Sequence, residues 1–265
     1  MTNFSTPQIA YTYDGSFYGM LCCVFESLSK KELPLEVVTN GVSMFSMRHI
    51  ETCAIKAERI LKSIPIKIND TALDYVKFTY LADIEQKELS LIHFLLEGYK
   101  CGKDFIQDIK MNFQPSRKYV AGTGKNVHID KIVKGVDLLV LEAHRFVMFV
   151  RFSDYNGSLV AVIEPVAKVL PLMADHFVER YPNENFLIYD KTNKLALIYN
   201  NKQTRIEYIE QIDLPTVSLQ EQQSRKLWKL FYDTIAIKER KNEKCRRNFM
   251  PKKYWKNLTE MQQHE

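Results

Sequence analysis

The sequence predicts a protein of the α+β class, in which helices pack on an antiparallel sheet. Three observations support this prediction. Apolar residues recur with helical spacing through most of residues 46–100, short apolar runs flank turns in two hairpin-like stretches between residues 146 and 200, and an amphipathic segment follows Pro215. Because a hairpin pairs neighbouring strands in opposite directions, we expect an antiparallel sheet.

The first half of the chain is expected to be mainly helical, with a short first strand. In order, the predicted elements are a strand at residues 9–13, a helix at 17–29, a strand at 35–39 and helices that end at Pro65, Ala82 and Gly98. Residues 106–125 contain one proline and two glycines, and we interpret them as a connector. We therefore assign residues 1–113 to a mainly helical N-terminal region.

The second half is expected to contain the sheet. The predicted elements are a helix at residues 127–141, strands at 146–152 and 158–164 around an Asn156-Gly157 turn, a helix at 166–181 and strands at 185–190 and 195–200. This order gives two hairpins around a helix (ββαββ). A long C-terminal helix at 218–241 and a basic tail follow, so we predict one α+β domain over residues 126–265.

Composition excludes several classes of protein. The 46% apolar and 26% charged residues are ordinary for a globular chain. No stretch approaches the ~20 uninterrupted apolar residues of a membrane helix. The N-terminus lacks the basic and apolar regions of a secretory signal, so we expect a cytoplasmic protein without membrane contact. The five cysteines are scattered without C-x-x-C spacing, and we expect no metal and no cofactor.

Positive charge is concentrated near the C-terminus. From Arg225 to Lys256 there are twelve basic and three acidic residues, a net charge of +9, and the rest of the chain carries −4. Such an asymmetry favours a polyanionic partner. On a helical wheel Leu227, Leu230 and Phe231 share one arc with Ile235, and the basic residues lie opposite. We therefore predict that this helix docks on the core by its apolar face and presents a basic outer face.

In the tail, cations alternate with aromatic residues. Cations neutralise phosphates, and aromatic rings stack on unpaired bases. The predicted nucleic-acid-binding residues are Lys226, Lys229, Arg240, Lys241, Lys244, Arg246, Arg247, Lys252, Lys253, Tyr254 and Trp255. The alternative is a solvated face, with Phe249, Tyr254 and Trp255 folded back into the core.

A second group of candidate residues is Glu142, His144 and Arg145. If a strand begins here, Glu142 and His144 share a face, and the carboxylate could orient an imidazole that works as a catalytic acid or base. The alternative is structural, with Arg145 paired to a carboxylate such as Glu164. On the following helix, residues 176 and 180 share a face and could contact a phosphate or form an exposed stripe.

Three segments together resemble one bacterial family. They are Tyr11-x-Tyr13-Asp14-Gly15-Ser16-Phe17, then Glu142-Ala143-His144-Arg145-Phe146 with Leu170-Pro171-Leu172-Met173-Ala174-Asp175-His176-Phe177, and last Leu227-Trp228-x-x-Phe231-Tyr232 with Met250-Pro251-x-x-Tyr254-Trp255. The family is that of DNA metabolism and repair proteins whose core is a domain of unknown function. Members are typically encoded with a radical-SAM DNA repair or modification protein, and in others a domain of this kind is fused to a uracil-DNA glycosylase-like domain.

The resemblance implies a role in DNA repair, with DNA and a radical-SAM protein as partners. No Gly-Glu-x-Pro-Gly-type glycosylase motif occurs here, so the resemblance implies no glycosylase activity. We expect a nucleic-acid-binding accessory protein. Two alternatives stay open, a nucleic-acid-processing enzyme with a cleft lined by Glu142, His144, Arg145, Glu164 and His176, and a protein-binding adaptor.

Overall fold

The computed structural model describes residues 4–39, 41–106, 126–155, 157–214 and 216–262. It contains both helices and strands, which confirms the mixed composition predicted from the sequence. The chain divides into two compact units, residues 1–139 and 140–265. The predicted connector at 106–125 lies, apart from its first residue, outside the described part of the chain.

The first unit contains a three-stranded parallel sheet. Strand β1 (Ile9–Tyr13) lies in the centre and runs parallel to both β2 (Glu36–Thr39) and β3 (Ser46–His49). Helix α1 (Phe17–Lys30) connects β1 to β2, and the Ser16 side chain caps its first turn. The sequence did not predict β3, because three of its four residues are exposed and no apolar alternation marks it.

Four further helices follow β3. They are α2 (Ala54–Lys67), α3 (Asp70–Leu81), α4 (Lys87–Cys101) and α5 (Val127–Phe149), and the division between the two units falls within α5. The predicted strand at residues 146–152 is therefore wrong, since α5 continues to Phe149. Buried residues recur along α5 at helical spacing, at Ile132, Val136, Leu139, Ala143 and Phe146. This period outweighs the local β-propensity of the aromatic and β-branched residues at its end.

The second unit contains a five-stranded sheet in chain order. Its strands are β4 (Ser153–Tyr155), β5 (Ser158–Ile163), β6 (Asn185–Asp190), β7 (Leu195–Asn200) and β8 (Gln203–Tyr208). The prediction of a wholly antiparallel sheet is wrong at the centre, where β5 and β6 are parallel. Helix α6 (Leu170–Arg180) forms the crossover between these two strands, and such a crossover returns the chain in the same direction.

The remaining strand pairs of this sheet are antiparallel. Strand β8 was not predicted; all six of its residues are exposed, and its alternation is limited to Thr204, Ile206 and Tyr208 between polar residues. Asn156 of the predicted hairpin turn lies outside the described residues, although β4 and β5 on either side of it pair as a hairpin.

The C-terminal region consists of short helical pieces after one longer helix. These are α7 (Leu219–Ile235), a 3₁₀ turn at Lys238–Arg240, α8 (Glu243–Phe249) and 3₁₀ turns at Lys252–Asn257 and Thr259–Met261. The predicted helix at 218–241 therefore ends at Ile235. Asn242 begins α8 by accepting a hydrogen bond from the Cys245 N–H at 2.9 Å.

Two imidazole rings stack in the first unit. The ring centroids of His93 and His128 lie 4.1 Å apart with their planes 3° from parallel, and Ser90 Oγ lies 3.1 Å from Nδ1 of His128. Burial, followed by the charges of His128 and Lys100, lowers the pKa of His93 to about 4. His93 is therefore neutral in the folded protein at neutral pH.

We expect this stack to make the protein sensitive to acid. An unfolded histidine takes up its proton near pH 6.5, whereas folded His93 does so only near pH 4. The contribution of neutral His93 to the free energy of unfolding is therefore fully present above about pH 6.5. It is lost as the pH falls towards 4, by an amount on the order of 2–3 kcal/mol. Urea denaturation between pH 4 and pH 7 measures this loss. His93→Phe keeps a stacked ring that does not titrate and should flatten the profile, and parallel profiles for both proteins would contradict the assignment.

Candidate nucleic-acid interface

The candidate catalytic residues lie on a helix. Glu142, His144 and Arg145 belong to α5, where side chains two positions apart point ~200° apart. The expectation that Glu142 and His144 share the face of a strand is therefore wrong. Whether any of the three takes part in catalysis stays a prediction.

The Glu142 carboxylate is buried and binds three donors. Its Oε2 accepts hydrogen bonds from the backbone N–H groups of Val166 and Ala167, both at 3.0 Å. Its Oε1 accepts a hydrogen bond from Lys253 Nζ at 2.6 Å. Burial lowers the pKa of Lys253, but the hydrogen bond and the charge of Glu142 outweigh it, so this pKa lies above its usual range. Glu142 thus joins α5 to the loop before α6 and to the turn at Lys252–Asn257.

A second buried carboxylate holds the same loop from the sheet side. Asp190, at the end of β6, accepts hydrogen bonds from the N–H groups of Thr192 and Asn193 at 3.0 and 2.9 Å and from the Asn193 side-chain amide at 2.7 Å. That amide also donates to the Ala167 carbonyl at 3.3 Å. Burial raises the pKa of Asp190 above its usual range, against the opposing effect of these donors. Sequence reasoning missed Asp190 and Asn193, although an Asp that begins a tight turn is a recognisable signal.

The turn at Lys252–Asn257 sends its side chains in different directions. Lys256 pairs with Glu164, so Glu164 binds this lysine rather than meeting the expected partner Arg145. Tyr254 is only 2% exposed and packs its ring edge to face on Phe146, with centroids 5.0 Å apart. The alternative in which aromatic residues of the tail fold into the core therefore describes Tyr254, whose ring does not face solvent.

Trp255, next to Tyr254, lies at the surface between two cations. The Arg246 guanidinium lies 4.8 Å and the Lys252 ammonium 5.9 Å from the ring centroid, and the indole N–H donates to the Met250 carbonyl at 2.9 Å. Arg246 also pairs with Glu243 at 2.8 Å. These contacts join α8 and the turn at Lys252–Asn257 into one continuous surface.

We call this region the α8 surface, and its residues are Lys244, Arg246, Arg247, Phe249, Lys252 and Trp255. Lys244 and Arg247 are exposed, three positions apart on α8, and neither forms an ion pair within the described part of the chain. Phe249 is 77% exposed. Four of the nine predicted cations therefore meet in one place, together with two accessible aromatic rings.

The other predicted cations lie elsewhere. Lys226 and Arg240 are exposed, Lys241 lies 3.7 Å from Glu243, and Lys229 Nζ donates to the Gln262 carbonyl at 3.0 Å. Lys253 is held by Glu142.

Helix α7 is oriented opposite to the prediction. Its apolar arc is 52–66% exposed, at Leu227, Leu230, Phe231 and Ile235, so the expectation that this arc docks on the core is wrong. Polar contacts hold the helix instead. Arg225 donates a hydrogen bond to Ser153, Trp228 Nε1 donates to Glu260 at 3.1 Å, and Lys229 donates to Gln262. The helical period correctly grouped the apolar residues, but it does not determine what they face.

A groove of about 620 Å³ runs beside α6 in the second unit. We call it the α6 groove. His176 and Arg180, which the sequence places on one helix face, both line it and are exposed. Phe152 and Tyr181 also line it, with ring centroids 5.3 Å apart. Sequence reasoning had not connected these aromatic residues with a site, because they come from a connecting segment and from the end of α6.

The second unit is thus a mixed sheet with one crossover helix and a basic, helical C-terminal region. A family model described as a domain of unknown function (DUF4130) matches residues 86–260. The chain belongs to this family. The matched range contains α8 and the α6 groove but not the first of the three resembling segments. No curated protein and no solved structure matches the chain.

Two further observations concern only the described residues. No helix there is both long and apolar enough to cross a membrane. No group of three or more His, Cys, Asp or Glu side chains is arranged there to hold a metal ion.

We expect Glu142→Gln to destabilise the second unit by about 2–3 kcal/mol, because an amide cannot replace the charge-assisted bonds at three donors. Glu164→Gln is the matched control. It also removes a carboxylate paired with a lysine of the same turn, but this pair is more exposed and should contribute about 1 kcal/mol or less. Urea denaturation measures both, and equal losses would contradict the assigned role of Glu142.

Proposed function

We propose that this chain is a nucleic-acid-binding accessory protein of DNA metabolism or repair that acts with a radical-SAM enzyme. The observation that carries the proposal is the α8 surface. There Lys244 and Arg247 are available to phosphates, and Phe249 offers an exposed ring to an unpaired base. The resemblance of the chain to DNA metabolism and repair proteins supports DNA as the polyanion.

The alternative of an independent enzyme has less support. Of its candidate residues, Glu142 is engaged by Lys253 and by two backbone N–H groups, and Glu164 is engaged by Lys256. These carboxylates serve the architecture of the second unit. A carboxylate that acts as a general base needs access to the substrate proton.

The nucleic-acid part of the proposal predicts a salt-dependent affinity. The association constant for fluorescein-labelled single-stranded DNA, measured by anisotropy, should fall linearly with salt on logarithmic axes. Lys244→Glu with Arg247→Glu should weaken binding about tenfold or more at low salt and reduce the slope by roughly 1–2, because up to two phosphate contacts are lost.

The matched control is Lys191→Glu with Lys202→Glu, which reverses two exposed lysines outside the α8 surface. This control should change the slope little. An affinity that is independent of salt, or equal losses in both double variants, would overturn the proposal. Duplex DNA measured in the same series shows which form is preferred.

The exposed apolar arc of α7 supports the protein-partner part of the proposal. Contiguous apolar side chains at a protein surface often mark an interaction site. The occupant we propose is the radical-SAM protein that the family resemblance implies. An adaptor that binds only this protein would use the same arc, and the two proposals differ in whether DNA also binds.

A pull-down with the radical-SAM protein tests this arc. Leu230→Asp with Ile235→Asp should abolish retention of the partner, whereas Ile55→Asp, at an 81% exposed position of α2, should not. Nuclease treatment should leave retention unchanged if the contact is direct. Release by nuclease, or full retention by the α7 double variant, would contradict a direct contact at this arc.

A further inference from the structure

The α6 groove combines an aromatic floor with a cationic rim. Phe152 is the centre of the floor, with ring centroids 5.4 Å from Phe177 and 5.3 Å from Tyr181 at interplanar angles of 80° and 73°. Phe177 is buried, whereas Phe152 and Tyr181 are partly exposed. The floor therefore offers fixed ring surfaces against which a planar group can pack.

The rim carries positive charge that is not balanced within the groove. Arg180 and His176 are exposed, four positions apart on α6, and Arg180 forms no ion pair among the described residues. Its guanidinium lies 5.8 Å from the Tyr181 ring centroid, which places the cation beside the aromatic floor. Arg151 also lines the groove but is neutralised by Glu260 at 2.9 Å. No acidic side chain is among the described lining residues.

A ligand that matches this groove has a planar aromatic part and an anionic part close to it. The volume of about 620 Å³ is in the usual range for a small-molecule site. A nucleotide has this combination, because its base stacks on aromatic rings and its phosphate accepts bonds from a guanidinium.

We infer that the α6 groove binds one nucleotide, with the base against Phe152 and Tyr181 and the phosphate at Arg180 and His176. The nucleotide is either free or an unpaired residue of a strand. In the second case the inference rests on the proposed function, since the strand would then be held elsewhere by the α8 surface.

Three probes distinguish the contributions of the base and of the phosphate to binding. Calorimetric titration with thymidine 5′-monophosphate, thymidine and inorganic phosphate should give the tightest binding for the monophosphate, because only it uses both the floor and the rim. Binding of inorganic phosphate as tight as that of the monophosphate, or no binding of the monophosphate, would overturn the inference.

Variants locate the site. Arg180→Gln should weaken monophosphate binding about tenfold or more, because a hydrogen bond to a charged group is lost. Met148→Glu places a negative charge at an exposed lining position and should abolish binding. Lys191→Gln, outside the groove, is the control and should bind like the wild type. Wild-type affinity in both groove variants would overturn the inference.

Binding of a short oligothymidylate distinguishes this inference from the proposed function. Lys244→Glu with Arg247→Glu should weaken binding of the strand and leave binding of the monophosphate unchanged. Arg180→Gln should weaken binding of both if the groove takes a residue of the strand, and of the monophosphate alone if it takes a free nucleotide. If the strand binds with salt dependence but the monophosphate does not, the groove inference fails alone. If only the monophosphate binds, the groove takes a free nucleotide and the proposed function fails.

Discussion

The buried carboxylate of Glu142 is the constraint on which the geometry of the second unit depends. It binds backbone donors 24 and 25 residues further along the chain and an ammonium 111 residues further along. A buried carboxylate that loses such partners costs several kcal/mol, so the loop before α6 and the turn at Lys252–Asn257 are held in place. Because that turn also carries Lys252 and Trp255, the α8 surface depends on a carboxylate that is not part of it.

The strands were predictable from the sequence where a short apolar run lies between turn residues. Strands at 185–190 and 195–200 were predicted with the bounds of β6 and β7, because each is such a run and is mostly buried. Strand β8 was missed because its residues all face solvent. The direction of pairing between β5 and β6 was wrong, since it depends on the α6 crossover rather than on the pattern of either strand.

The candidate site was predictable as a region but not as individual side chains. The +9 charge of residues 225–256 indicates the region, but a count does not reveal which cations form ion pairs. Lys253 and Lys244 are both exposed, but Lys253 pairs with Glu142, whereas Lys244 forms no ion pair among the described residues. Tyr254 and Trp255 are neighbours with opposite environments, because successive side chains of a 3₁₀ turn point about 120° apart. Such differences depend on tertiary contacts that the local sequence does not encode.

We propose that nucleic acid contacts the second unit at the α8 surface. Photo-cross-linking with single-stranded DNA that carries 5-iododeoxyuridine, followed by mass spectrometry of the cross-linked peptides, examines this contact residue by residue. We expect cross-links at Phe249 or Trp255 that disappear at high salt. Cross-links confined to the first unit or to β8, or cross-links at the α8 surface that are unaffected by salt, would contradict it.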